Sequence, residues 1–109
     1  MKNANVFVDV DLTLVDMNQR LLPGAKESLE KLKASGCHLF LWSTGGAEYA
    51  RKIAAAYGLT ELFEGFVSKP DIIIDDTPGS THAPIAYAVT PEEPWPEVVD
   101  GIIRKHVDK

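Results

Sequence analysis

The chain has 109 residues, with 11 Lys and Arg against 16 Asp and Glu, for a formal net charge of −5. A composition of 45% hydrophobic and 25% charged residues fits one globular domain over 1–109, with one core. The acidic balance excludes a binder of extended nucleic acid, which needs a Lys/Arg stripe against the phosphate backbone. No run of about 18 apolar residues is present, so no membrane span is expected. The first residues carry no secretory pattern, and the single cysteine, Cys37, leaves no internal disulfide framework. A cytoplasmic location is the expectation, and the length leaves no room for a separate substrate domain.

Residues 6–10, VFVDV, form a short β-branched apolar run and predict a buried strand. Pro23 and Gly36 bracket a first helix, with Ala25, Leu29 and Leu32 at helical spacing. Residues 39–42 predict a second strand. A second helix follows over about 47–57, with Ala50, Ile53, Ala54 and Tyr57 inside and Gly58 as its stop. Residues 72–74 predict the third strand and 85–89 the fourth. Phe66 and Val67 are a weaker candidate, because Gly65 precedes them. The last helix runs over about 96–107, with Glu97 near its positive end and Arg104, Lys105 and His106 near its negative end. Apolar strands alternating with helices predict an α/β fold, three-layered and Rossmann-like, around a mainly parallel sheet. Right-handed crossovers give an expected strand order of 2-1-3-4, with helices on both faces.

In such sheets ligands bind beyond the carboxyl ends of the strands. The first predicted strand ends in Asp9, Val10, Asp11, Leu12, Thr13. The second ends in Ser43, Thr44, Gly45, Gly46, and the third in Asp75 and Asp76. A single strand-end aspartate is ordinarily a turn or cap residue. The whole set is more specific. Carboxylates crowded together are tolerated in ionised form only with a cation among them. All-oxygen ligands suit Mg²⁺, which takes one or two carboxylates with waters and substrate phosphate. Gly45 and Gly46 let the backbone approach an anion just before the second helix.

On these residues the chain resembles the haloacid dehalogenase-like superfamily of phosphohydrolases. Residues 6–16, VFVDVDLTLVD, look like its first motif, a strand followed by D-x-D-x-T. Residues 39–43, LFLWS, look like its second, and residues 72–76, IIIDD, like its acidic fourth. Lys69 stands where the basic residue of the third motif is expected. The likeness covers roughly residues 5–90. Leu12 stands where the commonest form of the family has glycine; capless members with a DLDxTL motif also lack that glycine.

The resemblance implies a Mg²⁺-dependent phosphatase. Asp9 would be the nucleophile, forming an aspartyl phosphate, and Asp11 the general acid and then base. Thr13 would fix the loop. Ser43 and Lys69 would be catalytic as well as phosphate-binding, with Thr44 and Gly45 joining them on the phosphoryl group. Asp9, Asp11 through its backbone carbonyl, and Asp75 or Asp76 would hold the metal. With 72–74 as the third strand, Lys69 lies six residues before Asp75, up to about 20 Å away if extended. It would then reach the rim only if 69–71 bends back. Arg51 and Lys52 are substitutes, more simply read as solvated helix surface.

The family's two cap positions hold only about nine residues (14–22) and one helix with its exit (47–68), so no cap domain is expected. The site would then be open to a small phosphate ester or a phosphorylated macromolecular end, or be lidded by a second copy in a homo-oligomer. Asp16 and Asn18 flank the rim as candidate specificity residues. His82 is a loop histidine near the acidic pair, His38 and His106 read as structural or surface groups, and Trp42 and Trp95 as packing residues. Two other classes remain: a receiver-like domain that accepts phosphate for signalling, and a catalytically quiet binding module on the same fold.

Overall fold

The computed structural model describes residues 3–74, 76 and 87–108. Strand β1 (Asn5–Asp9) leads through helix α1 (Ala25–Ala34) to β2 (His38–Ser43). Helix α2 (Ala47–Ala56) and a 3-10 turn (Thr60–Leu62) lead to β3 (Gly65–Ser68). Helix α3 (Trp95–Ile102) runs on into a π-helical turn (Ile103–Val107). None of the helices described is long and apolar enough to cross a membrane.

The sheet is parallel in the order β1-β2-β3, with Asp9 opposite Trp42 and Trp42 opposite Val67. Side chains alternate across it. Val8, Leu41 and Phe66 share one face, and Phe7, Phe40 and Gly65 the other. The first face is the core side. Leu39 and Leu41 are buried there with Leu29 and Leu32 of α1 and Ala50, Ile53 and Ala54 of α2. The second face presents Phe7 stacked on Phe40, with ring centroids 4.9 Å apart. Among the described residues both crossover helices pack on the core face, rather than one on each face as expected. A chain stepping in one direction, β1 to β2 to β3, brings successive right-handed crossovers to the same side.

The third strand is a correction. The expected strand at 72–74 carries no strand pairing, and Ile72 and Ile74 are 81% and 96% exposed. The expected strand at 85–89 has residues 85 and 86 outside the described part, and residues 87–89 are not in a strand. The segment led by Gly65 is the third strand instead. A Cβ built on Gly65 would meet Phe40 Cδ1 at 3.1 Å. The glycine that weakens the strand's local propensity is what lets it lie flush beside the Phe40 ring. Strand β2 is therefore the central strand among the three described, where the expected order gave that place to β1.

Helix α3 docks on α1, and Lys31 Nζ lies 2.6 Å from Asp100 Oδ1 across that contact. Both side chains are exposed, so the pair contributes about 1 kcal/mol at most. The buried Trp95 does more. It fills space beneath the β1 loop, and its indole N–H donates to the Thr13 carbonyl at 2.9 Å.

A test follows from Gly65. Strand propensity alone says that Gly65→Val should stabilise β3. The contact with Phe40 predicts a loss of about 1–3 kcal/mol instead, measured by urea unfolding.

Candidate functional site

The site begins with a turn. After β1 the chain folds so tightly that the Val10 carbonyl accepts from the amides of Thr13, Leu14 and Val15, at 3.3, 2.9 and 3.1 Å. Val10, Leu14 and Val15 are fully buried, which anchors the turn from below. Leu12 at its crest has φ +63°, a left-handed conformation that costs a branched residue roughly 1–2 kcal/mol. That conformation is one glycine adopts freely, which accounts physically for the glycine common at this place in the resembled family. The following excursion is a small hairpin. Val15 bridges Leu21, and Asp16 caps it by accepting the amides of Asn18 at 2.8 Å and Arg20 at 2.9 Å. The Arg20 amide is the largest of the influences that hold the Asp16 carboxyl below its ordinary range. Asp16 thus shapes the excursion.

Asp9 closes β1 at the rim. Its side chain lies on the same face as Trp42 and Val67, its register partners. Lys69 follows β3 directly, and its amide donates to the Ser43 carbonyl at 2.9 Å, prolonging the ladder by one bond. The ammonium then reaches back across Trp42, 5.4 Å from the ring centroid, and ends 3.3 Å from Asp9 Oδ1. Thr13 Oγ1 donates weakly to Asp9 Oδ2 at 3.4 Å. Lys69 and Asp9 remain 30% and 35% exposed. The distance problem expected for Lys69 does not arise, because it is the residue after the third strand and not a residue before it. Asp9, Thr13, Trp42 and Lys69 line one groove of about 790 Å³, together with Val89 and Trp95. A second, smaller cavity of about 390 Å³ lies against the excursion and is lined by Leu12, Met17, Leu22 and Pro91.

The β2 rim is built differently from expectation in one respect. Ser43 is buried, and its hydroxyl oxygen accepts from the Gly45 amide at 2.9 Å. It thereby shapes the turn that carries Thr44 and Gly45, both exposed. Ser68 supplies a cap at the start of α2, accepting the Ala47 amide at 3.0 Å. That contact was hidden in the sequence, because it joins the end of β3 to a helix 21 residues earlier.

Asp11 does not meet Lys69. It meets Tyr49, in the first turn of α2, whose hydroxyl donates to Asp11 Oδ1 at 2.7 Å. Gln19 Nε2 donates to the same hydroxyl at 3.3 Å, and the Tyr57 hydroxyl holds the Gln19 carbonyl. The hydrogen bond to Asp11 is the main reason the Tyr49 phenol ionises above its ordinary value, with burial and the carboxylate charge adding to it. Sequence reading missed Tyr49. The only available signal was its place one turn past Gly45 and Gly46, on a helix whose start faces the rim.

Two carboxylates on one turn are hard oxygen donors of the kind Mg²⁺ takes, so the donor chemistry at Asp9 and Asp11 fits that ion. Among the described residues no group of three or more His, Cys, Asp or Glu is placed to hold a metal. Asp75 lies outside the described residues, and Asp76 is exposed in a bend. His82 also lies outside them. Arg51 sits 5.3 Å over the Phe66 ring and pairs with Glu48, which accounts for it as helix surface. His38 pairs with Glu64, and His106 Nε2 lies 2.8 Å from the Tyr87 hydroxyl. Cys37 is buried, and desolvation pushes its thiol pKa above the ordinary value.

Comparison with known family models, curated proteins and solved structures returns no match to this chain.

The Tyr49 geometry has a spectroscopic consequence. Absorbance titration near 295 nm should find Tyr49 ionising above the ordinary tyrosine range, and Asp11→Asn should bring it down. The sign for stability agrees. A phenol whose ionisation is raised on folding adds stability that is whole below its unfolded-state value and is lost as pH rises through its folded-state value.

Proposed function

We propose that the chain is a haloacid dehalogenase-like phosphohydrolase without a cap domain, cleaving phosphate monoesters through an aspartyl phosphate on Asp9. The observation that carries this reading is the Lys69 ammonium 3.3 Å from the Asp9 carboxylate, beside the D-x-D-x-T turn. A carboxylate that must attack a phosphate dianion needs a cation at its side to offset their repulsion. An ion pair this exposed contributes about 1 kcal/mol or less to folding. Its worth is therefore in where it puts the charge.

The chemistry then runs in two displacements. Asp9 attacks phosphorus. The bond from its carboxylate oxygen to phosphorus forms as the bond to the ester oxygen breaks, and Asp11 gives that departing oxygen its proton. Lys69 stays beside the phosphoryl oxygens and draws off part of their charge. In the second displacement Asp11 takes a proton from water, the water oxygen bonds to phosphorus, and Asp9 is released as carboxylate. Asp9 and the Asp11 carbonyl would hold Mg²⁺, with Asp75 or Asp76 as the further acid. The ion would screen the charge between carboxylate and phosphate. Thr13 restrains Asp9, and the exposed turn carrying Thr44 would offer the Thr44 amide to the phosphoryl oxygens, while the Gly45 amide is given to Ser43 Oγ and holds the shape of that turn.

The spacing separates this reading from a phospho-accepting receiver. Asp11 stands two residues from Asp9 and can deliver water to the phosphoaspartate, which a signalling domain must avoid.

The test is turnover of p-nitrophenyl phosphate in Mg²⁺, abolished by EDTA. Asp9→Asn should lower it about a thousandfold or more, and Lys69→Met about a hundredfold, with the fold retained. Unchanged turnover in Asp9→Asn would overturn the mechanism. An acyl phosphate that persists for minutes to hours, without ester hydrolysis, would favour the receiver.

A further inference from the structure

Asp11 must hold its proton for the leaving oxygen and afterwards accept one from water, so its carboxyl needs a defined orientation. A carboxyl on an exposed turn has none of its own, because its terminal torsion is broad and roughly two-fold. Here one oxygen is taken. The Tyr49 hydroxyl donates to Oδ1 at 2.7 Å, and among the described residues Oδ2 accepts no hydrogen bond. The hydroxyl is itself aimed, since Gln19 Nε2 donates to it at 3.3 Å and leaves its proton for Asp11. The ring behind it is also held. A Cβ built on Gly45 would meet Tyr49 Cδ2 at 3.1 Å, so the glycine of the β2 rim is the space in which the ring lies. The Tyr57 hydroxyl donates to the Gln19 carbonyl and fixes the excursion that carries Gln19.

We infer that Tyr49 is a positioning residue for proton transfer at Asp11, holding Oδ1 so that Oδ2 faces the leaving group. The inference rests on the phosphohydrolase reading above. As Asp11 gives up its proton it becomes a carboxylate, and the Tyr49 O–H bond to Oδ1 is then a charge-assisted one, stronger than before. The phenol therefore helps most where the transition state demands most of the acid. Proton donation matters for an alkoxide leaving group and little for a nitrophenolate, which departs readily unprotonated.

The experiment compares kcat/KM, which covers the steps up to departure of the leaving group, for benzyl phosphate and p-nitrophenyl phosphate. Tyr49→Phe keeps the ring against Gly45 and removes the hydroxyl. It should lower the benzyl value about tenfold or more and the nitrophenyl value less than about threefold. Asp11→Asn should show the same split, larger, and adding Tyr49→Phe to it should change the ratio no further. An equal fall with both esters would mean a merely structural role and would overturn this inference alone. Absence of wild-type turnover with either ester would overturn the phosphohydrolase reading, and this inference with it. Should Tyr49→Phe fail to fold, Gln19→Ala removes the bond that aims the hydroxyl. It should then give the same split at about threefold, with an equal fall again overturning the inference.

Discussion

An ammonium group reaching across an indole to a carboxylate joins two ends of this sheet. Everything else in the described structure makes that reach possible. Parallel strands deliver all their carboxyl ends to one rim, and the register here sets Asp9, Trp42 and Val67 in a row, with Lys69 one pleat beyond. Trp42 is the floor between the charges. Its ring lies in the span that the lysine crosses and attracts the cation over its face. A lysine one position earlier would point to the core face, against α2.

The rim has two halves with separate supports. On one, Asp9 is served by Lys69 and Thr13. On the other, Asp11 is served by Tyr49 from α2 and Gln19 from the excursion. The turn between them is rigid because it is anchored from below, by buried Val10, Leu14 and Val15 and by the Trp95 bond to the Thr13 carbonyl. Rigidity matters for two carboxylates of different duties two residues apart. Each is held by its own partner, and neither partner is shared.

The sequence was readable where chemistry is local. The D-x-D-x-T turn, the helix spans and the strands of β1 and β2 all follow from short-range pattern. The third strand did not, and the reason is specific. Residues 72–74 have the better strand composition and Gly65 the worse, yet propensity measures a residue against an average neighbour. Gly65 has a particular neighbour, the Phe40 ring, against which a side chain is a fault and its absence an advantage. The misplaced strand carried an error with it, the apparent distance of Lys69 from the rim.

By itself the sequence determined an α/β alternation, a run of core-forming apolar positions, and the place of Asp9, Asp11 and Ser43 at or just past the ends of the first two strands, because each depends on spacing along the chain. Tertiary structure alone decided which segment is the third strand, that Lys69 meets Asp9, and that Tyr49 meets Asp11. The last two contacts span 60 and 38 residues of sequence, as the difference between the numbers shows. No local pattern encodes such pairs. They exist because parallel pairing and helix packing bring distant strand ends and helix starts to the same edge of the sheet.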